Sequence, residues 1–190
     1  MGGRHEQQTS RVARARRGAD TAPGPQHLVV MGVSGTGKTT VATELAARHG
    51  ALFIEGDSLH PPANIAKMSA GIPLDDEDRW PWLEVLASLL AFHHDEEISS
   101  VLTCSALKRS YRDVLRGGLP QDSLFFVHLA APFAVLRARM EARDHFMPAS
   151  LLQSQFDALE PLGPDELGAV FDVSQPVEDV ISQVLAAIGD

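Results

Sequence analysis

The chain has one cysteine, Cys104, in 190 residues. A single thiol excludes any disulfide within the chain. It also suits a reducing compartment, so a cytoplasmic setting is expected. Long apolar runs are missing too. No stretch reaches the roughly 18–20 residues that span a bilayer, and none reads as a signal-peptide core, so no membrane partner is expected. Positive charge is scarce: the formal net charge at pH 7 is −9. That balance argues against a nucleic-acid or anionic-membrane surface. Internal repeats are absent. His93-His94 has no companion at zinc-ligand spacing and reads as a helix-end feature. There is no Asn-Lys-x-Asp guanine motif and no apolar strand ending in Asp-Glu after the glycine loop, which weighs against a nucleotide switch.

What is present is a phosphate-loop pattern, G-x-x-x-x-G-K-[ST], filled by Gly32, Val33, Ser34, Gly35, Thr36, Gly37, Lys38 and Thr39. The apolar run Leu28 to Met31 before it reads as a buried strand. Lys38 to His49 after it has Val41, Ala42, Leu45 and Ala46 at helical spacing. Backbone N–H groups of such a loop converge on phosphate oxygens at the positive end of the helix dipole. Lys38 would reach the β- and γ-phosphates of ATP, and the Thr39 hydroxyl would hold Mg²⁺.

Residues 1–26 carry five arginines against Glu6 and Asp20, without large apolar periodicity, and read as a disordered basic extension. Residues 27–190 read as one domain in which strand-like and helix-like segments alternate. The strands fall at Leu28–Val33, Ala51–Glu55, Ser99–Cys104, Leu124–Ala130 and Ala169–Val173. Pro73–Asp78 reads as an acidic turn, and an amphipathic helix as Trp82–His93. Such alternation implies a parallel sheet with helices on both faces, and ligands beyond the carboxyl ends of its strands.

The residues that follow those ends carry the chemistry. Asp57 follows strand two and is a candidate to accept the proton of an alcohol during phosphoryl transfer. His60 follows it. Lys108 and Arg109 follow strand three. Arg139 and Arg143, four apart on a helix, repel unless an anion lies between them, which makes them candidate phosphate clamps. Arg137 is placed to pair with Glu141. Arg79, an isolated cation before an apolar helix, is a candidate for a substrate carboxylate.

Four blocks together resemble the gluconate kinase family of small phosphate-loop kinases: GVSGTGKTT at 32–40, GDSLHPPANIAKMSAGIPLDDEDRWPWL at 56–83, CSALKRSYRDVLR at 104–116 and HFMPASLLQSQFDALEP at 145–161. The second block is the specific one, since a phosphate loop alone is widely shared. The resemblance implies ATP- and Mg²⁺-dependent phosphorylation of D-gluconate at its 6-hydroxyl. It implies an α/β fold of the nucleoside-monophosphate and shikimate kinase kind, with five parallel strands in the order 2-3-1-4-5 and mobile lid segments. It also implies a homodimer. Thr40 joins the ATP-binding block. Asp57, His60, Asn64, Lys67, Arg79 and Lys108 fall on the substrate side, in a segment of about 57–95 and the strand-three block. Arg143 and His145 fall in a lid of about 137–152. Ser174-Gln175-Pro176 resembles the adenine-contacting loop. The lid departs from the family: Arg143-Asp144-His145 is one residue shorter than R-x-G-H. Rival readings are a kinase of this scaffold for shikimate, a nucleotide or another sugar acid, or a nucleotide-binding regulatory protein without an acceptor.

Overall fold

The structure, a computed structural model, describes residues 26–142 and 149–189. Five parallel strands form one sheet: β1 (His27–Met31), β2 (Leu52–Glu55), β3 (Ser100–Thr103), β4 (Leu124–Ala130) and β5 (Gly168–Asp172). Their order is β2-β3-β1-β4-β5, as the family resemblance implied. Val29 lies beside Leu102 on one side and Phe126 on the other, so β1 is the central strand.

Side chains alternate across the sheet, and each face has its own core. Leu28, Val30, Val101, Val127 and Leu129 pack against helix α1 (Lys38–His49) and the closing helix α7 (Val177–Ile188). Val29, Met31, Leu102 and Phe126 face the opposite way, against α3 (Asp76–Asp95) and α4 (Arg109–Arg116). Helix α2 (Pro62–Ser69) precedes α3. A third, smaller cluster joins Val33 of the glycine loop to Leu136 and Met140 of α5 (Phe133–Glu141) and Leu152 of α6 (Ala149–Ala158). That cluster lays α5 and α6 beside the loop.

Helix α3 departs from the expectation. It begins at Asp76, not Trp82, and takes in the second half of the expected acidic turn. Asp75 accepts the Asp78 N–H at 2.9 Å, and the Asp78 carboxylate accepts the Asp75 N–H at 3.0 Å. This reciprocal cap starts the helix early, and Pro81 is carried inside it at the loss of one backbone donor. A 3₁₀ turn, Gly56–Leu59, was also not anticipated. Gly56 is obligatory there, since a Cβ on it would lie 2.0 Å from the Thr103 carbonyl oxygen. The expected extension, residues 1–25 of it, and the middle of the expected lid lie outside the described residues. Gln26 is tied to the start of β3 at the amino end of the sheet, its N–H donating to Ser99 Oγ at 3.1 Å.

Candidate active site

The turn out of β1 is forced by close approach. Gly32 has φ +132°, and a Cβ there would meet the Leu129 carbonyl oxygen at 2.4 Å. Thr36 closes the loop internally, its hydroxyl donating to the Val33 carbonyl at 2.9 Å. Gly37 caps α1 with a left-handed backbone. Lys38 curls back over the loop and donates to the carbonyls of Gly32 and Val33, each at 3.1 Å. Burial lowers its pKa, while Asp57, Cys104 and Glu55 pull in the other direction. Thr39 donates its hydroxyl to Glu55 Oε2 at 2.8 Å. Glu55 also accepts from the Thr103 hydroxyl. Thr40 is exposed on α1. From α6, Gln155 reaches over the loop: its Oε1 accepts the Ser34 N–H at 2.7 Å, and its Nε2 donates to Ser34 Oγ at 3.0 Å.

Arg139 on α5 donates to the Val173 carbonyl at 2.6 Å, at the head of the Ser174-Gln175-Pro176 turn. Gln175 and Gln183 exchange side-chain hydrogen bonds, and Pro176 caps α7. Arg143 and His145 lie outside the described residues. Arg137 pairs with Glu141 on the helix surface, as its spacing implied.

Beside the loop lie the 3₁₀ turn, α2, α3 and the start of α4. His60 stacks on Trp82 with ring centroids 4.0 Å apart, and its Nε2 lies 4.0 Å from Asp57 Oδ1. Burial lowers the His60 pKa, opposed by Asp57 and reinforced by Arg79. Asn64 is buried and turned inward, donating to the Asp78 carbonyl at 2.7 Å. Lys67 donates to both Asp78 carboxylate oxygens, at 2.6 and 2.7 Å, and holds α2 to the start of α3. Lys108 donates to both oxygens of Asp76, at 2.7 and 2.9 Å, and sits over the Tyr111 ring. The Tyr111 hydroxyl also donates to Asp76. The Lys108 hydrogen bond, then that of Tyr111, holds the Asp76 carboxyl below the usual carboxylate range. Arg79 differs from these lysines. It donates to the Leu74 carbonyl at 2.5 Å and to the Tyr111 hydroxyl at 3.4 Å, and makes no carboxylate ion pair among the described residues. Arg109, expected at this edge, turns instead to Asp165.

A cleft of about 610 Å³ opens between these parts. Arg79 and Lys108 line it with the carboxylate residues Asp75, Asp76 and Glu77, and Ser154, Gln155 and Ala158 of α6 contribute as well. Asp57 stands on the 3₁₀ turn with its side chain largely in solvent. It is close enough to Lys38 to oppose the burial that lowers that lysine's pKa. Asp57, Lys38 and Arg79 all act electrostatically on Cys104, whose thiol burial pushes up to about 12. The loop lysine, the carboxylate and the free arginine therefore share one end of the sheet. Sequence reasoning missed Glu55 and Gln155 as contributors. Glu55 was legible as the last residue of strand two; Gln155, far along the chain and without a motif, was not.

A 2-3-1-4-5 parallel sheet, a glycine loop opening onto α1, and a polar cleft that shares Gln155 with that loop define a phosphate-loop kinase. A family model described as an AAA domain matches residues 28–162. The chain is 57% identical over 144 residues to the gluconokinase of Gluconobacter oxydans, covering 75% of this chain and 79% of that one. It is 44% identical over 165 residues to the thermosensitive gluconokinase of Escherichia coli, covering 86% and 87%. The crystal structure of a gluconokinase from Sinorhizobium meliloti superposes with a TM-score of 0.80 at 48% identity, covering 88% of this chain and 93% of that one. The chain belongs to the gluconokinase family.

Proposed function

We propose that the chain transfers the γ-phosphoryl group of ATP to D-gluconate, giving 6-phospho-D-gluconate. One observation carries the reading: Arg79, a cation without an ionic partner among the described residues, lines a cleft together with Gln155, whose side chain grips the phosphate loop. A polyhydroxy acid held there by its carboxylate presents its far hydroxyl toward the loop.

Lys38 swings from the Gly32 and Val33 carbonyls to the β- and γ-phosphates and offsets charge on the moving phosphoryl group. Asp57 orients the acceptor hydroxyl and takes its proton. Arg79 neutralises the gluconate carboxylate, and Lys108 joins it once Asp76 releases it. Arg139, with Gln175 and Pro176, borders the adenine side. Positioning supplies most of the acceleration, because phosphoryl transfer asks little covalent chemistry of the protein.

Thr39 and Glu55 fit the Mg²⁺ that such transfer uses. Their hydroxyl and carboxylate oxygens are hydrogen-bonded together, and hard oxygen donors in small number suit this ion beside phosphates. Among the described residues no group of three His, Cys, Asp or Glu is placed to hold a metal by itself. Mg²⁺ bound there would neutralise the β- and γ-phosphates. The reading extends to a homodimer in the cytoplasm; sedimentation velocity reads the first directly.

An ADP-release assay over gluconate, shikimate, nucleoside monophosphates and other sugar acids tests the reading. Gluconate should give the largest kcat/KM and should require Mg²⁺. ATP hydrolysis indifferent to every acceptor overturns it. Asp57→Asn should lower kcat by roughly 10²–10⁴-fold with a small change in gluconate KM. The reverse pattern makes Asp57 a ligand and not a base.

A further inference from the structure

A second cavity, of about 300 Å³, lies on the same face of the sheet but toward β5, under the segment that joins α6 to β5. That is the lower end of the size range of small-molecule sites, roughly 300–1,000 Å³. Leu159, Pro161, Leu162 and Val170 give it apolar walls, and His128 and Glu166 line it as well.

His128 is the anomaly. It is 6% exposed, and neither ring nitrogen has a hydrogen-bond partner among the described residues. Buried polar groups are nearly always paired, so two orphaned nitrogens on one cavity wall ask for a partner. Burial, with Arg112 adding to it, lowers the pKa of the ring to about 4. The imidazole is therefore neutral near pH 7 and offers one donor and one acceptor. The charge nearby is already spent. Glu166 accepts from Arg112 Nε at 2.7 Å and from its Nη2 at 3.0 Å, and it also takes the Gly163 N–H at 2.7 Å. The wall thus carries no uncompensated charge to attract an ion.

Leu159 connects this cavity to the active site. It immediately follows α6, whose Ala158 and Gln155 wall the acceptor cleft. Leu159 also packs with Leu107 and Leu152 in the cluster beside the glycine loop.

We infer that this cavity is an effector site for a small, uncharged, mostly apolar molecule bearing a hydroxyl, which His128 receives by hydrogen bonding and whose presence is felt through Leu159 at α6. The effector role rests on the kinase reading; the binding site does not.

Phenol is a suitable probe, with toluene as its hydroxyl-free control. In long-range ¹H–¹⁵N spectra, phenol should shift the His128 ring resonances saturably, and toluene should do so at least several-fold more weakly. Val170→Trp blocks the half-exposed rim without touching the core, and His128→Phe removes the polar partner. Val170→Trp should abolish the shift; His128→Phe, which has no ring nitrogen to follow, is read by activity and should lose the effect of phenol on gluconate KM, and the first variant keeps the test valid if the second fails to fold. Saturating phenol should change the gluconate KM at least twofold in the wild type and not in Val170→Trp. No saturable shift, or a shift that persists in Val170→Trp, overturns the site. Saturable binding with an unchanged gluconate KM overturns the effector role, and the spectra separate that result from a failure of the kinase reading.

Discussion

Two arginines a short way apart on the same face of the sheet have opposite settings. Arg112 is fully buried. Its guanidinium pairs with Glu166 and donates to the carbonyls of Ala106, Leu107, Glu160 and Pro161, leaving no donor for anything else. Arg79 holds one carbonyl and a long contact to a tyrosine hydroxyl, at the wall of an open cleft. The lysines around it are held less permanently than Arg112: Lys108 shares Asp76, and Lys38 leans on carbonyls of its own loop. The difference separates scaffold from site. A cation whose every donor is used in the dry interior fixes the chain segments it touches. A cation with provisional partners can exchange them for a substrate.

The comparison breaks first at Lys38. Lys38→Met removes the charge over the phosphates and should lower turnover by roughly 10³-fold or more. The melting temperature should change little, since the lysine contributes only two loop contacts to the fold. Near-wild-type turnover would place the chemistry elsewhere.

Arg112 should behave in the opposite way. Arg112→Ala leaves Glu166 charged and buried, at a cost of roughly 3–5 kcal/mol, read from urea unfolding. Burial alone would raise the Glu166 carboxyl; the Arg112 and Gly163 hydrogen bonds overcome it and keep the group ionised. Activity per folded molecule should persist in the cold. A stable variant that has lost activity would move Arg112 from scaffold to site.

Buried histidines extend the scaffold side to pH. Burial, then the neighbouring His94 and His93, lowers the pKa of His27 to about 4; burial and Arg112 do the same for His128. The unfolded chain takes up these protons near pH 6.5, so between 6.5 and 4 it binds more protons than the folded chain. Stability must therefore fall as pH falls through that window, by on the order of 3 kcal/mol per histidine at its foot. The paired carboxylates Asp76, Asp78 and Asp165 act at lower pH, because the stability they lend is fully present above the ordinary carboxylate pKa. Thermal melts from pH 7.5 to 4.5 should show the loss, and His128→Phe should flatten it. A flat profile over that range would mean the rings are protonated in the fold.

Most of the site side could be read from the chain alone, and most of the scaffold side could not. The glycine loop and Asp57 follow strand ends, and Arg79 stands out in the chain as an isolated cation before an apolar helix. The roles of Arg112 and Glu166 depend on contacts 54 residues apart, which no periodicity encodes. The capping box that starts α3 was present as Asp75 and Asp78, but Pro73–Asp78 read as an acidic turn and the helix as starting after Pro81, at Trp82. Asn64 and Lys67, carried in the same block as Arg79, could not be told from ligands until Asp78 appeared as their partner.

That last distinction yields the smallest effect and the finest test. Arg79 and Lys67 are both cations of the substrate-side block, yet only Arg79 lacks a carboxylate partner among the described residues. If free charge is what recognises gluconate, Arg79→Ala should raise the gluconate KM by roughly 10- to 100-fold, the worth of a charge-assisted hydrogen bond, with kcat little changed. Lys67→Ala should move KM by less than about threefold, because the lysine is already paired with Asp78 and, 39% exposed itself, forms a partly hydrated pair of the kind that contributes little. Its signature should be a slightly lower melting temperature, as the tie between α2 and α3 loosens. Equal KM effects from the two substitutions would mean that Lys67 leaves Asp78 when gluconate binds, and the boundary between provisional and permanent partners would then run through α2.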